Sequence, residues 1–274
     1  MSIRKLYQSR CKVNQVGELV PTYWIPQAVD YYPICLYSSV DRVADPQAIS
    51  LVQRLITLAL KLEVEVGTMV VKGVRRHLPK ADKELTPLLL SNASDEGRHY
   101  RGFQYAQTTY GSVTCPKLNS LVTDWLALSD SANTHPVHIA GLLEVSVFLI
   151  SLGLLRIVGS PSLSRLAMAV AEDEYRHVQT NVAVSSGLGY WGQPSSDVQG
   201  LIDTTLEWVW GDGLDGVPKG LSLPHLKEYS RELVADMASP RFDNLTWYSF
   251  HHLPFELPNE YMYSLRDTNS ETIA

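Results

Sequence analysis

The sequence predicts an all-α protein, a four-helix bundle with additional helices and arms at both ends. Three observations carry that reading. Apolar residues recur at helical spacing over long runs, no strand pattern of any length appears, and one acidic phrase occurs twice at matched intervals. The phrase is Asp-Glu-x-Arg-His, found at Asp95-Glu96-Gly97-Arg98-His99 and again at Asp173-Glu174-Tyr175-Arg176-His177. Each copy follows a Leu-Glu-Val-x-Val segment, Leu62-Glu63-Val64-Glu65-Val66 in the first half and Leu143-Glu144-Val145-Ser146-Val147 in the second. Glu63 lies 33 residues before Glu96, and Glu144 lies 30 before Glu174. A helix rises about 1.5 Å per residue, so each interval holds half of one helix, a turn, and half of the next.

The elements follow in order. Residues 1–44, with Pro21, Pro26 and Pro33 and several tyrosines, read as an arm over the bundle. Asp45-Pro46 is a helix start, with Asp as N-cap and Pro in the first turn. From there to about Arg76, Val52, Leu55, Ile56, Ala59, Leu60, Glu63, Val66, Gly67, Val70 and Val74 fall on one stripe. The basic run Lys72-Gly73-Val74-Arg75-Arg76-His77 marks its C-terminus, where cations favour the helix dipole. A second helix opens at Thr86-Pro87 and closes before Gly111. A short helix near 118–128 crosses over. A third long helix spans about Pro136 to Val158, stopped by Gly159. Ser160-Pro161 repeats the cap-plus-proline start of a fourth, which runs to about Ser186. Two more helices are expected near Asp197–Trp210 and Pro224–Met237, and the tail beyond Pro240 has no clear periodicity.

At 274 residues and 45% apolar content the chain can bury one substantial core, so a single domain is expected over 1–274. The metal-binding bundle would occupy about 46–187, flanked by the arm 1–44 and a helical cover 195–274. A net charge of −6 without a dense Lys/Arg cluster argues against a nucleic-acid footprint. Cys11, Cys35 and Cys115 are few and unpaired in spacing, which points to free thiols in a reducing, cytoplasmic compartment. The apolar run from Gly141 to Gly159 contains Glu144, Ser146, Ser151 and Arg156, which fits a buried helix and not a membrane span. Met1-Ser2-Ile3-Arg4-Lys5 lacks the apolar stretch of a signal peptide.

The doubled phrase carries the chemistry. Residues three apart on a helix share a face, so Glu96 with His99, and Glu174 with His177, can address one ion from one helix. Taken singly, either pair would fit a solvated helix face. Glu144 does not fit one, because it sits within Leu142-Leu143-Glu144-Val145-Ser146-Val147-Phe148-Leu149-Ile150, and Glu63 lies mid-stripe. A carboxylate on a core face is costly unless paired, protonated or bound to a cation. Four carboxylates and two histidines, Glu63, Glu96, His99, Glu144, Glu174 and His177, are the set with which helical bundles hold two iron or manganese ions. Glu65 projects elsewhere and reads as a surface residue. Asp95 and Asp173 can each orient the histidine of the opposite helix through its second ring nitrogen, or pair along their own helix. Arg98 and Arg176 point away from the ions and would pair with carboxylates on neighbouring helices. Tyr100, Phe103 and Phe148 flank the ligands, as core or as lining of an apolar pocket. His251 and His252 lack ligand spacing.

These residues resemble the ferritin-like di-iron carboxylate superfamily, over about residues 50–185. Asp173-Glu174-x-x-His177 looks like the second ligand motif of ribonucleotide reductase small subunits and acyl-carrier-protein desaturases. Arg98 and Arg176 are closer to desaturases and di-iron arylamine N-oxygenases. The departures are specific. Phe103 stands where many reductase subunits carry a radical tyrosine. Val147 and Phe148 stand near where desaturases and bacterial hydroxylases place a threonine, and Val170 where N-oxygenases add a histidine. The resemblance implies an enzyme that uses two iron ions, with manganese or a mixed Mn/Fe pair as variants, and O₂ as co-substrate. It implies hydroxylation, desaturation or N-oxygenation of a small organic molecule, with an external electron donor and room for a homodimer. By the same analogy Glu96 and Glu174 would bridge, and Glu63 and Glu144 would be terminal ligands. A radical-generating subunit and a ferroxidase or iron-binding protein are the alternative readings.

Overall fold

Helices dominate the architecture. The computed structural model describes residues 11–13, 16, 19–21, 48–77, 85–187, 194–211 and 221–237. Helix α1 spans Ile49–His77 and α2 spans Leu85–Tyr110. The crossing helix α3 spans Pro116–Asp130. Next comes one continuous rod: α4 (Pro136–Leu143), a π-helical turn (Glu144–Phe148) and α5 (Leu149–Val158). Helix α6 spans Pro161–Gly187, and α7 (Ser196–Trp210) and α8 (Leu223–Met237) follow. Against the expectation of no strands, Cys11–Val13 (β1) and Leu19–Pro21 (β2) form a short antiparallel ladder, with Lys12 opposite Val20. Three residues per strand are too few to leave a period-two pattern in the sequence. The expected start at Asp45-Pro46 and the tail beyond Pro240 lie outside the described residues.

Local sequence explains the helix ends. The Ser160 hydroxyl accepts from the Leu163 amide at 3.2 Å, and Ser195 caps α7 through the Val198 amide, each relieving one of the amides a helix start leaves unpaired. His135 does the same for α4, its Nδ1 accepting from the Val137 amide beside Pro136. Gly211 ends α7 at φ 74°, a left-handed conformation that glycine adopts without strain. There Arg54 of α1 reaches in and donates to the carbonyls of Val209 and Trp210, capping the α7 C-terminus. Gly159 is required for a different reason: a side chain there would run into the Leu155 carbonyl.

Packing places the six candidate ligands on facing surfaces. Helix α1 lies along α2, α6 lies along the α4–α5 rod, and α1 meets α4 while α2 meets α6. Gly102 permits the last approach, since a Cβ there would meet Leu166 of α6 at 2.9 Å. Most stripe residues of α1, among them Val52, Ile56, Val66 and Val70, are buried and Leu60 and Val74 partly so, and Leu142, Val145 and Val147 around Glu144 are buried as well. Helices α3, α7 and α8 form a second layer over α1 and the rod. Trp125 of α3, fully buried, donates to Thr205 of α7 at 3.1 Å. From α8, Ser230 donates to the Ser146 carbonyl inside the π-helical turn at 3.1 Å. The rod Pro136–Val158 is long and apolar enough to cross a membrane, but 89% of its most apolar window is buried against the other helices.

Candidate metal centre

Two groups of side chains meet at the level where the four long helical segments face one another. Glu63, Glu96, His99 and Glu174 bring ligand atoms within 4.8 Å of one another, and so do Glu96, Glu144, Glu174 and His177. None of the six is more than 2% exposed. All six expected ligands are therefore gathered, from α1, α2, the π-helical turn and α6. Glu65 is half-buried and belongs to neither group.

The two groups share Glu96 and Glu174, and the sharing is visible atom by atom. Glu96 Oε2 lies 3.6 Å from His99 Nδ1, while its Oε1 lies 3.0 Å from His177 Nδ1. Glu174 turns Oε1 to His99 Nδ1 and Oε2 to His177 Nδ1, each at 3.3 Å. Each shared carboxylate thus presents one oxygen to each histidine, the disposition a bridging ligand needs. Glu63 Oε2 faces His99 Nδ1 at 3.2 Å. The imidazole rings are 5.8 Å apart between centroids.

The far nitrogens of both rings are held across the site. His177 Nε2 faces Asp95 Oδ2 at 3.2 Å, and His99 Nε2 faces Asp173 Oδ2 at 3.4 Å. Each histidine is therefore oriented by the aspartate of the other Asp-Glu-x-Arg-His copy, which turns Nδ1 towards the carboxylates. The arginines pair in two directions. Ion pairs run along their own helices, Arg98 to Asp95 and Arg176 to Asp173, and Arg98 also feels the charge of Asp173 on the facing helix, as expected. They sit three residues from those aspartates, near enough to fix the carboxylates that steer the rings.

The electrostatics show why this core wants cations. Burial pushes the Glu63 and Glu144 carboxyls well above the usual carboxylate range. Burial works the same way on Glu96, but the His177 and His99 imidazoles outweigh it and hold that carboxyl below the range. Burial disfavours a charged His177, yet Glu96 and Glu174 raise it to about 10, and Glu63 likewise raises His99. Hydrogen bonding does not satisfy the cluster. Glu63 Oε1, both oxygens of Glu96, Glu144 Oε1, both oxygens of Glu174 and His177 Nδ1 are buried without a hydrogen bond among the described residues. Buried polar atoms in that number call for a partner the side chains do not supply. Oxygen donors with one imidazole nitrogen in each group are a donor set that could hold a metal ion.

Sequence reasoning missed two contributors. Asn181 donates from Nδ2 to Glu144 Oε2 at 2.7 Å. Its signal was available, because it lies one turn beyond His177, where a polar residue on a core face needs a partner. The π-helical turn around Glu144 left no such signal. Phe103 and Phe148, expected near a pocket, are 0% and 2% exposed within the core. A surface groove between α3 and α7, lined by Leu121, Asp124, Leu201 and Thr204, includes none of the ligand residues. No known protein family, no curated protein and no solved structure matches this chain.

Proposed function

We propose that the chain is a ferritin-like, carboxylate-bridged two-metal oxidoreductase that uses O₂ to oxidise a small organic molecule. The observation that carries the reading is the pair of shared carboxylates, Glu96 and Glu174, each turning one oxygen to His99 and the other to His177. In this reading Glu63 and His99 would hold one ion, Glu144 and His177 the other, and Glu96 and Glu174 both. Iron so bound supplies reversible one-electron chemistry and a place for O₂, with manganese or a mixed pair as variants. The protein's own residues do the rest. Asp95 and Asp173 fix the ring orientations, and the apolar shell of Val145, Val147, Phe103 and Phe148 keeps water from the reacting atoms. Reducing equivalents would come from an external donor. Hydroxylation, desaturation and N-oxygenation share these requirements, and all three remain within the proposal.

The test is anaerobic loading with Fe²⁺, elemental analysis, and then mixing with O₂ under an absorbance record. The proposal expects two irons per chain and a visible band that decays faster when a small organic substrate is present. One metal per chain would overturn the ligand assignment. A stable tyrosyl radical in electron paramagnetic resonance would favour the radical-generating alternative, against which stands Phe103, a residue that cannot form one. Oxidation of hundreds of irons per assembly would favour storage.

A further inference from the structure

The two halves of the site match in their ligands but not in the residues one turn further on. Four residues beyond His177 on α6 stands Asn181, and four beyond His99 on α2 stands Phe103. Both are fully buried on the ligand-bearing helices. Asn181 Nδ2 donates to Glu144 Oε2 at 2.7 Å, while its Oδ1 has no hydrogen bond among the described residues. An amide buried with half of its hydrogen-bonding capacity unused is unfavourable in a core, so packing alone does not account for it. Its contact with Glu144 does.

The consequence for the ligands is unequal. Phe103, which stands in the place of Asn181, has no donor to give, and among the described residues Glu63 receives no side-chain amide. Its Oε2 faces His99 Nδ1, a nitrogen that an ion would occupy, and its Oε1 has no hydrogen bond, so both oxygens are open to a metal. Glu144 keeps Oε1 open while Oε2 is held by Asn181, and an oxygen that accepts one hydrogen bond keeps a second lone pair. The Glu144–His177 position therefore has a candidate ligand oriented by an amide.

We propose that Asn181 is a positioning residue: it engages one oxygen of Glu144, fixes its rotamer, and so tightens metal binding at the Glu144–His177 position alone. This rests on reading the cluster as a two-metal site. The test is titration of the metal-free full-length protein with Co²⁺ alone, a coloured stand-in, followed by visible absorption and calorimetry. The wild type is expected to take two Co²⁺, and Glu144→Ala identifies the step of the Glu144–His177 position by abolishing it. In Asn181→Ala that step is expected to weaken about 10- to 100-fold, the usual cost of removing a group that orients a metal ligand. The other step stays unchanged. Asn181→Gln keeps an amide donor and is expected to keep the Glu144 step near the wild-type value. Thermal melting of each metal-free variant confirms that it is folded. Asn181 is not a positioning residue if a folded Asn181→Ala leaves both steps alone, tightens the Glu144 step, or weakens both equally. Nor is it one if Gln loses as much affinity as Ala. A wild type that binds no Co²⁺ refutes the two-metal reading instead, a result separable from all of these.

Discussion

Charging the site with metal should expel protons. In the metal-free protein, burial holds Glu63 and Glu144 well above the carboxylate range, and facing carboxylates hold His99 above its usual value and His177 at about 10. His177 therefore carries a proton at pH 7 that it must lose to bind an ion, and the other three groups are displaced in the same direction. Each proton released makes binding about 1.4 kcal/mol more favourable per pH unit, about tenfold in affinity. Calorimetric titration with Mn²⁺ in two buffers of different ionisation enthalpy counts the protons directly. At least one per chain is expected at pH 7, with affinity rising from pH 6 to 8. Release of fewer than one proton per chain, or an affinity flat over that range, would refute the reasoning.

The stability of the metal-free protein should run the opposite way with pH. His177 and His99, raised in the folded state, stabilise it fully below about pH 6.5 and progressively less as pH rises towards 10; denaturant melts at pH 6 and 9 should show a falling midpoint without metal. Glu63→Ala and Glu144→Ala should each lose one ion by elemental analysis, Glu96→Ala should lose both because it is shared, and Glu65→Ala should keep both. Asp173→Asn should weaken the Glu63–His99 position by about 10- to 100-fold, since it removes the carboxylate that orients His99; a loss confined to the other position would contradict the crossed geometry. Gly102→Leu should destabilise the fold by about 1–3 kcal/mol through overpacking against Leu166, read in urea melts.

Much of the architecture was legible because its signals are local. The stripe of α1 named many of the buried residues of that helix, though not Leu58, Leu62 or Met69, and Ser160-Pro161 and the apolar run around Glu144 marked two helices to within a few residues. The six candidate ligands were legible for a different reason: charged residues at core positions, repeated at hairpin intervals, violate the hydrophobic pattern twice in the same way. What the sequence hid depends on contacts between elements or on geometry without a compositional mark. Nothing in Glu144-Val145-Ser146-Val147-Phe148 announces a π-helical turn, whose Ser146 carbonyl is met by Ser230 from a helix more than eighty positions away. The pairing of Arg98 and Arg176 along their own helices was not expected, because a side chain of that length reaches along its own helix as easily as across. The β1–β2 ladder was too short to register.

The crossed histidine supports carry one more consequence. Asp95 serves His177 and Asp173 serves His99; Glu96 and Glu174 exchange oxygens in the same reciprocal fashion. Such mutual contacts are those of a twofold dimer interface, here folded into one polypeptide. Neither half holds a complete set, since every ion position draws on both. Joining the halves covalently keeps them at fixed proportion and also frees them from identity, because a change in one no longer appears in the other. Phe103 against Asn181, and Gly67 against Phe148, occupy corresponding places in the two halves and differ. A symmetric pair of chains would be bound to two equal positions; a single chain can give its two candidate positions different work.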